Sequence, residues 1–348
     1  MRLGSCSTTL RSVRGGPIPI LFVHGLTATS FFFERLMQRL PERFSAFALD
    51  LRGHGDSESE DYEAATGLKT FAEDIYALVQ QTGFPQVHVV GWSLGGGIAL
   101  QFAISHPSNV LSLTLEAPIS PFGLHGTKDA QGTPCWTDFA GSGAGSMFPE
   151  LLETIRQGDY SPRNPYSLVN IWSRVLYKST FKPDPELAKG LYKEGLKVKI
   201  GPGFFPGSTL PCQNWPGYRP GATGIVNAMS PLYCNLTEFT DNPRKPPVLW
   251  IRGDSDQMIG DHVKGTPASL GRKGHIPNWP GEAVFPDQPM LQQTKAMLEQ
   301  YRAKGGRYRE VEFEDCGHAP HIEKETRFLE ELVSFVTSAY QSFPSSRL

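Results

Sequence analysis

The chain has 348 residues, 39% of them hydrophobic, and a formal net charge of -2 at pH 7. That length supports one large α/β core with a substantial insertion, and a near-neutral balance without a basic run argues against nucleic acid as a partner. No apolar run approaches a membrane span, residues 1–16 lack the apolar stretch of a signal peptide, and the five cysteines (Cys6, Cys135, Cys212, Cys234, Cys316) are scattered without a C-x-x-C pair. No zinc site, no disulfide framework and a reducing, cytoplasmic location are therefore expected. The Asn235-Leu236-Thr237 sequon is read as chance, because no secretory signal accompanies it. Nothing in the composition fixes an oligomeric state.

In chain order, residues 8–13 suit a single edge strand. The apolar run 18–23 predicts a buried strand ending in His24-Gly25-Leu26, and 32–40 a helix. The run 44–50 predicts the next strand, followed by Leu51-Arg52-Gly53-His54-Gly55-Asp56-Ser57. The spacing of Phe71, Ile75, Leu78 and Val79 predicts a helix over 70–81. The β-branched run 86–90 predicts a strand, 97–104 a helix halted near Pro107, and 110–115 a strand ending at Glu116. Strands and helices alternate and the strands are continuously apolar, so the fold class is α/β with a mostly parallel, doubly wound sheet. His24, Asp50, Ser93 and Glu116 all fall at carboxyl ends of strands, where such sheets carry their chemistry.

From residue 119 the rhythm breaks. The 119–245 segment is rich in Gly, Pro and aromatics, with helical patches at 166–180 and 185–195; its rings argue against a disordered linker. It is expected to be an inserted, largely helical cap between two halves of a core, 1–118 and 246–348. The sheet resumes at 247–253. An irregular excursion spans 257–289, then come a helix (290–304), a strand (308–313), Asp315-Cys316-Gly317-His318, and a closing amphipathic helix (326–340).

The stretch Gly91-Trp92-Ser93-Leu94-Gly95 sits between a strand and a helix. That context makes G-x-S-x-G a nucleophile turn. A hydroxyl at the tip of so sharp a turn requires a strained backbone at Ser93, and strand and helix pass too close for side chains at Gly91 and Gly95. The helix start aims free N–H groups at the site.

Five signals in order now carry a resemblance to the α/β-hydrolase family, most like its capped members. They are His24-Gly25; Asp50 through Ser57; Gly91 through Gly95; Gly253-Asp254-Ser255-Asp256; and Gly317-His318 followed by Pro320 and Glu323. The resemblance implies Ser93 as nucleophile and His318 as general base. It implies Asp256 as the orienting acid, ahead of Asp254, read as a turn residue, and Glu116, where some relatives carry the acid. It implies an oxyanion hole made by the N–H groups of Leu26 and Leu94. A serine alcohol needs such a base, and the base such an acid. His321 is read as a supporting or solvated residue. Two features depart from the family. Asp256 precedes His318 by 62 positions, a longer connection than usual, and the N-terminal part is short for one or two of the usual edge strands.

A serine rather than an aspartate at the nucleophile position sets the chain apart from the family's haloalkane dehalogenases and epoxide hydrolases. The reading is a serine hydrolase that cleaves a carboxylic ester or lactone of an apolar small molecule, without cofactor or metal. Trp92, Trp136, Trp172, Trp215 and Tyr218 are the candidate pocket rings. The alternatives are a carbon–carbon bond hydrolase of β-diketone type, an acyltransferase or thioesterase, a perhydrolase, and a small-molecule receptor without turnover.

Overall fold

The computed structural model describes residues 2–3 and 6–342. Its organising layer is seven strands: β1 (Leu10–Val13), β2 (Ile18–Val23), β3 (Phe44–Leu49), β4 (Val87–Trp92), β5 (Val110–Glu116), β6 (Val248–Gly253) and β7 (Tyr308–Phe313). Their order across the sheet is β7-β6-β5-β4-β2-β3-β1. β1 pairs antiparallel with β3, and the other pairings are parallel. β2, β3, β4 and β5 are buried at every position, as strands must be when helices cover both faces of a sheet. Only the edge strands β1 and β7 carry exposed positions. The chain order reverses direction between β2 and β4, the place where sheets of this kind carry their sites, beyond the carboxyl ends of the strands.

α1 (Glu34–Gln38), α2 (Lys69–Thr82) and α3 (Leu94–Ser105) pack on this half of the sheet. α2 buries Phe71, Ile75, Leu78 and Val79 and stops at Gly83, whose φ of 85° supplies the left-handed cap. α3 starts directly after Ser93, three residues earlier than the sequence predicts. Three glycines have poor helix propensity, but α3 is buried from Leu94 through Ala103, and packing overrides propensity there.

The 119–245 segment leaves from β5 and returns at β6. It carries α4 (Pro149–Arg156), α5 (Leu168–Val175), α6 (Pro185–Gly195) and α7 (Ile225–Ala228). Irregular stretches and short strand pairs join them, Thr209–Pro211 with Tyr218–Pro220 among these. α5 ends five residues before the predicted 180. The reason is tertiary: His318 N–H donates to Leu176 O at 2.8 Å and Lys178 N–H to Glu323 Oε2 at 2.8 Å, which turns the chain onto the loop after β7. The segment also reaches the loops after β2 and β3. Thr29 Oγ1 donates to Glu194 Oε2 at 2.9 Å, and Gly55 N–H to Lys197 O at 2.7 Å. It therefore lies against the carboxyl-end loops of the sheet.

The 257–289 excursion holds α8 (Pro267–Arg272); α9 (Met290–Ala303), α10 (Pro320–Glu323) and α11 (Glu325–Gln341) complete the fold. The excursion packs on the inserted segment. Trp215 meets Phe285 edge-on at 4.8 Å and donates from Nε1 to Pro277 O at 2.9 Å. A buried amide network, Gln288 and Gln293 with Ser120 and Thr127, ties the end of the excursion to the start of the insertion. No helix among the described residues is long and apolar enough to cross a membrane.

Candidate active site

Ser93 follows the last residue of β4 and precedes the first of α3. Its φ is 57° and ψ -119°, a conformation non-glycine residues avoid. The turn is held from outside: Ser93 N–H donates to Glu116 O at 2.9 Å, and Ser93 O accepts from Ile119 N–H at 3.1 Å and Gly96 N–H at 2.9 Å. A Cβ on Gly91 would lie 2.2 Å from Gly95 O, and one on Gly95 2.0 Å from Val23 O. Both glycines are thus required by close backbone approach, as the motif predicts.

His318 lies in the loop after β7, Asp256 in the loop after β6. His318 Nδ1 is 2.7 Å from Asp256 Oδ2. The side chains are 1% and 4% exposed. Asp256 Oδ1 is occupied by the N–H groups of Met258 at 2.7 Å and Ile259 at 3.0 Å. A carboxylate accepts, so Nδ1 carries the proton and Nε2 holds the free lone pair. Nε2 has no partner among the described residues. No hydrogen bond joins it to Ser93 Oγ, a contact that is often long in a resting enzyme and tightens around substrate. Trp92 Nε1–H donates to His318 O at 2.8 Å and anchors the loop from below.

The two other candidate acids are occupied elsewhere. Asp254 accepts from Asp315 N–H at 3.0 Å and Cys316 N–H at 3.2 Å and fastens the turn after β7. Its burial opposes ionisation, but hydrogen bonds from Ser255 and those two N–H groups outweigh it and hold the carboxyl below its usual range. Glu116 pairs with His321, Nδ1 to Oε1 at 2.8 Å. His321 is buried rather than solvated.

Leu51 N–H donates to His24 Nε2 at 2.9 Å, so the proton sits on Nδ1, which donates to Gly25 O at 2.8 Å. That bond orients the Gly25–Leu26 peptide, whose other end is the Leu26 N–H. The N–H groups of Leu26 and Leu94 make no hydrogen bond among the described residues. A Cβ on Gly25 would lie 3.0 Å from Ser93 Cβ, so this loop and the Ser93 turn face each other. In the sequence the role of His24 shows only as a histidine between a buried strand and Gly25.

Burial pushes His24 down from 6.5 to about 4. Burial, helped by the neighbouring His24, pushes His54 to about 3, and burial alone takes His88 to about 3. These rings are neutral when folded and bind a proton when unfolded, so the unfolded chain holds more protons below pH 6.5. Their contribution to stability is complete above 6.5 and is lost as pH falls toward 4, by on the order of a few kcal/mol per buried ring. A urea midpoint followed from pH 7 to 4 should fall steeply across that window. A flat profile would contradict the neutral assignment.

Of the candidate pocket rings, Trp92 stacks on Phe32 at 5.5 Å, Phe32 meets Trp172 edge-on at 5.7 Å, and Trp172 contacts Tyr192 at 5.5 Å. One ring chain therefore runs from beside Ser93 into the inserted segment. Trp215 is held by the excursion, and Tyr218 packs over Gly145. Trp136 is half-buried, with no partner for its Nε1 among the described residues.

Residues 18–289 match a family model described as the alpha/beta hydrolase fold. The chain is 36% identical over 261 residues to a 2-(acetamidomethylene)succinate hydrolase from Mesorhizobium japonicum, covering 74% of this chain and 77% of that one. It is 39% identical over 101 residues to a pimeloyl-[acyl-carrier protein] methyl ester esterase from Neisseria meningitidis, covering 28% of this chain and 36% of that protein. It is also 36% identical to the dihydrolipoyllysine-residue acetyltransferase component of an acetoin cleaving system from Cupriavidus necator, over 30% of this chain and 28% of that protein. These last two matches thus span about a third of each relative. Among solved structures, a putative lipase from Acinetobacter baumannii superposes with a TM-score of 0.62 at 16% identity, covering 99% of this chain and 91% of that one. An esterase from Exiguobacterium antarcticum superposes with a TM-score of 0.58 at 21% identity, covering 95% and 96%.

Proposed function

The chain belongs to the α/β-hydrolase family, and from that premise we propose that it is a serine hydrolase of carboxylic esters or lactones of apolar small molecules, working through Ser93, His318 and Asp256. The observation that carries this reading is the Asp256–His318 hydrogen bond at 2.7 Å, which leaves Nε2 unpartnered in a loop anchored by the neighbour of Ser93.

Nε2 takes the hydroxyl proton as Ser93 Oγ attacks the carbonyl carbon. Asp256 stabilises the imidazolium that forms. The developing oxyanion lies against the N–H groups of Leu26 and Leu94, which are prepositioned by the His24 clamp and by the start of α3. Collapse expels the alkoxide, which His318 protonates, and leaves an acyl-enzyme. Water, activated by the same nitrogen, then releases the acid and restores Ser93. Each step uses the same proton carrier, and no metal or cofactor enters.

The inserted segment and the excursion together form the substrate-selecting roof in this proposal. The contacts of the inserted segment with the loops after β2, β3 and β7, and of the excursion with the inserted segment, support it. The deciding experiment is product analysis over esters, lactones, β-diketones and 2-(acetamidomethylene)succinate, with Ser93→Ala as control. Ester or lactone products that vanish in the control support the reading. Carbon–carbon cleavage, acyl transfer, peracid formation, or tight binding without turnover would each replace it with the corresponding alternative. In the same panel, Trp172→Leu should change the ranking of substrates by about tenfold in kcat/KM while fluorophosphonate labelling of Ser93 stays near the parent rate. An unchanged ranking would remove Trp172 from the pocket.

A further inference from the structure

Three residues beyond His318 a second carboxylate–histidine pair is buried in the core. Glu116, the last residue of β5, is wholly buried, and His321 is 3% exposed. Glu116 Oε1 accepts twice from His321, from its backbone N–H and from Nδ1, each at 2.8 Å. Glu116 Oε2 and His321 Nε2 have no partner among the described residues. The imidazole lies between the Phe33 ring at 4.8 Å and the Trp92 ring at 4.9 Å.

As a device for stability the pair is a poor choice. Taking a carboxylate and an imidazole out of water consumes most of their attraction, and two buried polar atoms, Glu116 Oε2 and His321 Nε2, are left unmatched among the described residues. Apolar side chains would fill the space beside Phe33 and Trp92 equally well. What they could not do is impose direction. The backbone carbonyl of Glu116 accepts from Ser93 N–H at 2.9 Å, while its carboxylate fixes the first turn after His318. Trp92, the residue before Ser93, donates to His318 O at 2.8 Å and packs its ring on His321. Covalent bonds and hydrogen bonds thus close a ring through Trp92, Ser93, Glu116, His321 and His318.

We propose that Glu116 and His321 are positioning residues that fix the separation of the Ser93 turn and the His318 loop. This rests on the reading of Ser93 and His318 as nucleophile and base. In this arrangement the histidine that Glu116 orients is His321, while His318 is paired with Asp256. The pair acts by geometry, so isosteric replacements that keep the hydrogen bonds should keep most of the effect. Gln at 116 can present its carbonyl oxygen at the Oε1 position and its amide at the unpartnered Oε2 position. Asn at 321 can present an N–H where Nδ1–H stands.

The test measures kcat, KM, the rate of fluorophosphonate labelling and thermal midpoint for Glu116→Ala, Glu116→Gln, His321→Phe and His321→Asn, beside Ser93→Ala. Glu116→Ala and His321→Phe should lower kcat by about 10- to 100-fold, the scale of a small misplacement, with KM within about threefold and labelling slowed in proportion. Glu116→Gln and His321→Asn should recover most of the rate. A folded Glu116→Ala with parental kcat and labelling would overturn the proposal. So would a Glu116→Gln loss as deep as that of Asp256→Asn. Should Glu116→Ala fail to fold, the His321 variants decide, and equal rates for His321→Phe and His321→Asn would count against it. Full turnover and labelling in Ser93→Ala would instead sink the serine-hydrolase reading, whatever the other variants do.

Discussion

Replacing Ser93 by alanine lowers kcat by on the order of a million-fold, the loss seen when a triad nucleophile is removed from a serine protease, and leaves the protein folded. The size follows from chemistry. Without Oγ there is no covalent intermediate, and His318 and the two N–H donors retain only weak help for direct attack by water. The survival of the fold follows from the turn. Ser93 is held at φ 57° by bonds to its backbone from Glu116, Ile119 and Gly96, and alanine keeps all of them. Circular dichroism and thermal midpoint establish folding; kcat on the best substrate of the panel establishes the loss. Most of the activity remaining in a folded Ser93→Ala would end the proposal.

The second large effect is Asp256→Asn, expected to lower kcat by about four orders of magnitude. The structure says why so small a change should matter. Oδ1 of Asp256 already accepts from the N–H groups of Met258 and Ile259. An asparagine must keep its carbonyl oxygen there, so its amide N–H₂ faces His318 Nδ1. Nδ1 then has to accept, the proton moves to Nε2, and the nitrogen nearest the reaction can no longer take the serine proton. Glu116→Gln imposes no such reversal, because the Glu116 oxygen without a partner can become the amide. Its loss should stay under about tenfold. Steady-state kinetics on both variants reads the difference, and the reverse ranking would move the acid to Glu116.

Much of this was legible in the residues because the core strands announce themselves by continuous apolarity. β2, β3, β4 and β5 are buried throughout, and three of them lead into the site: His24 follows β2, Ser93 follows β4, and Glu116 ends β5. The glycines at 91 and 95 were legible for a similar reason, since no other residue fits where a Cβ would meet a carbonyl at about 2 Å. Two kinds of information were not. The apolar run placed the start of α3 at Gly97, whereas burial of the whole helix starts it at Leu94. The Glu116–His321 pair was invisible because its members stand 205 positions apart and only the sheet register brings them together. The same holds for the tie between Trp215 and the excursion, a contact without local signature.

In the proposed reaction the nucleophile is the Ser93 hydroxyl. The direct measurement is to react the protein with a fluorophosphonate at neutral pH, digest it, and locate the adduct by mass spectrometry. One adduct per chain on the Ser93 hydroxyl, slowed by orders of magnitude in Asp256→Asn, is the predicted result. An adduct on another residue, or none on Ser93 while ester hydrolysis proceeds, would contradict it.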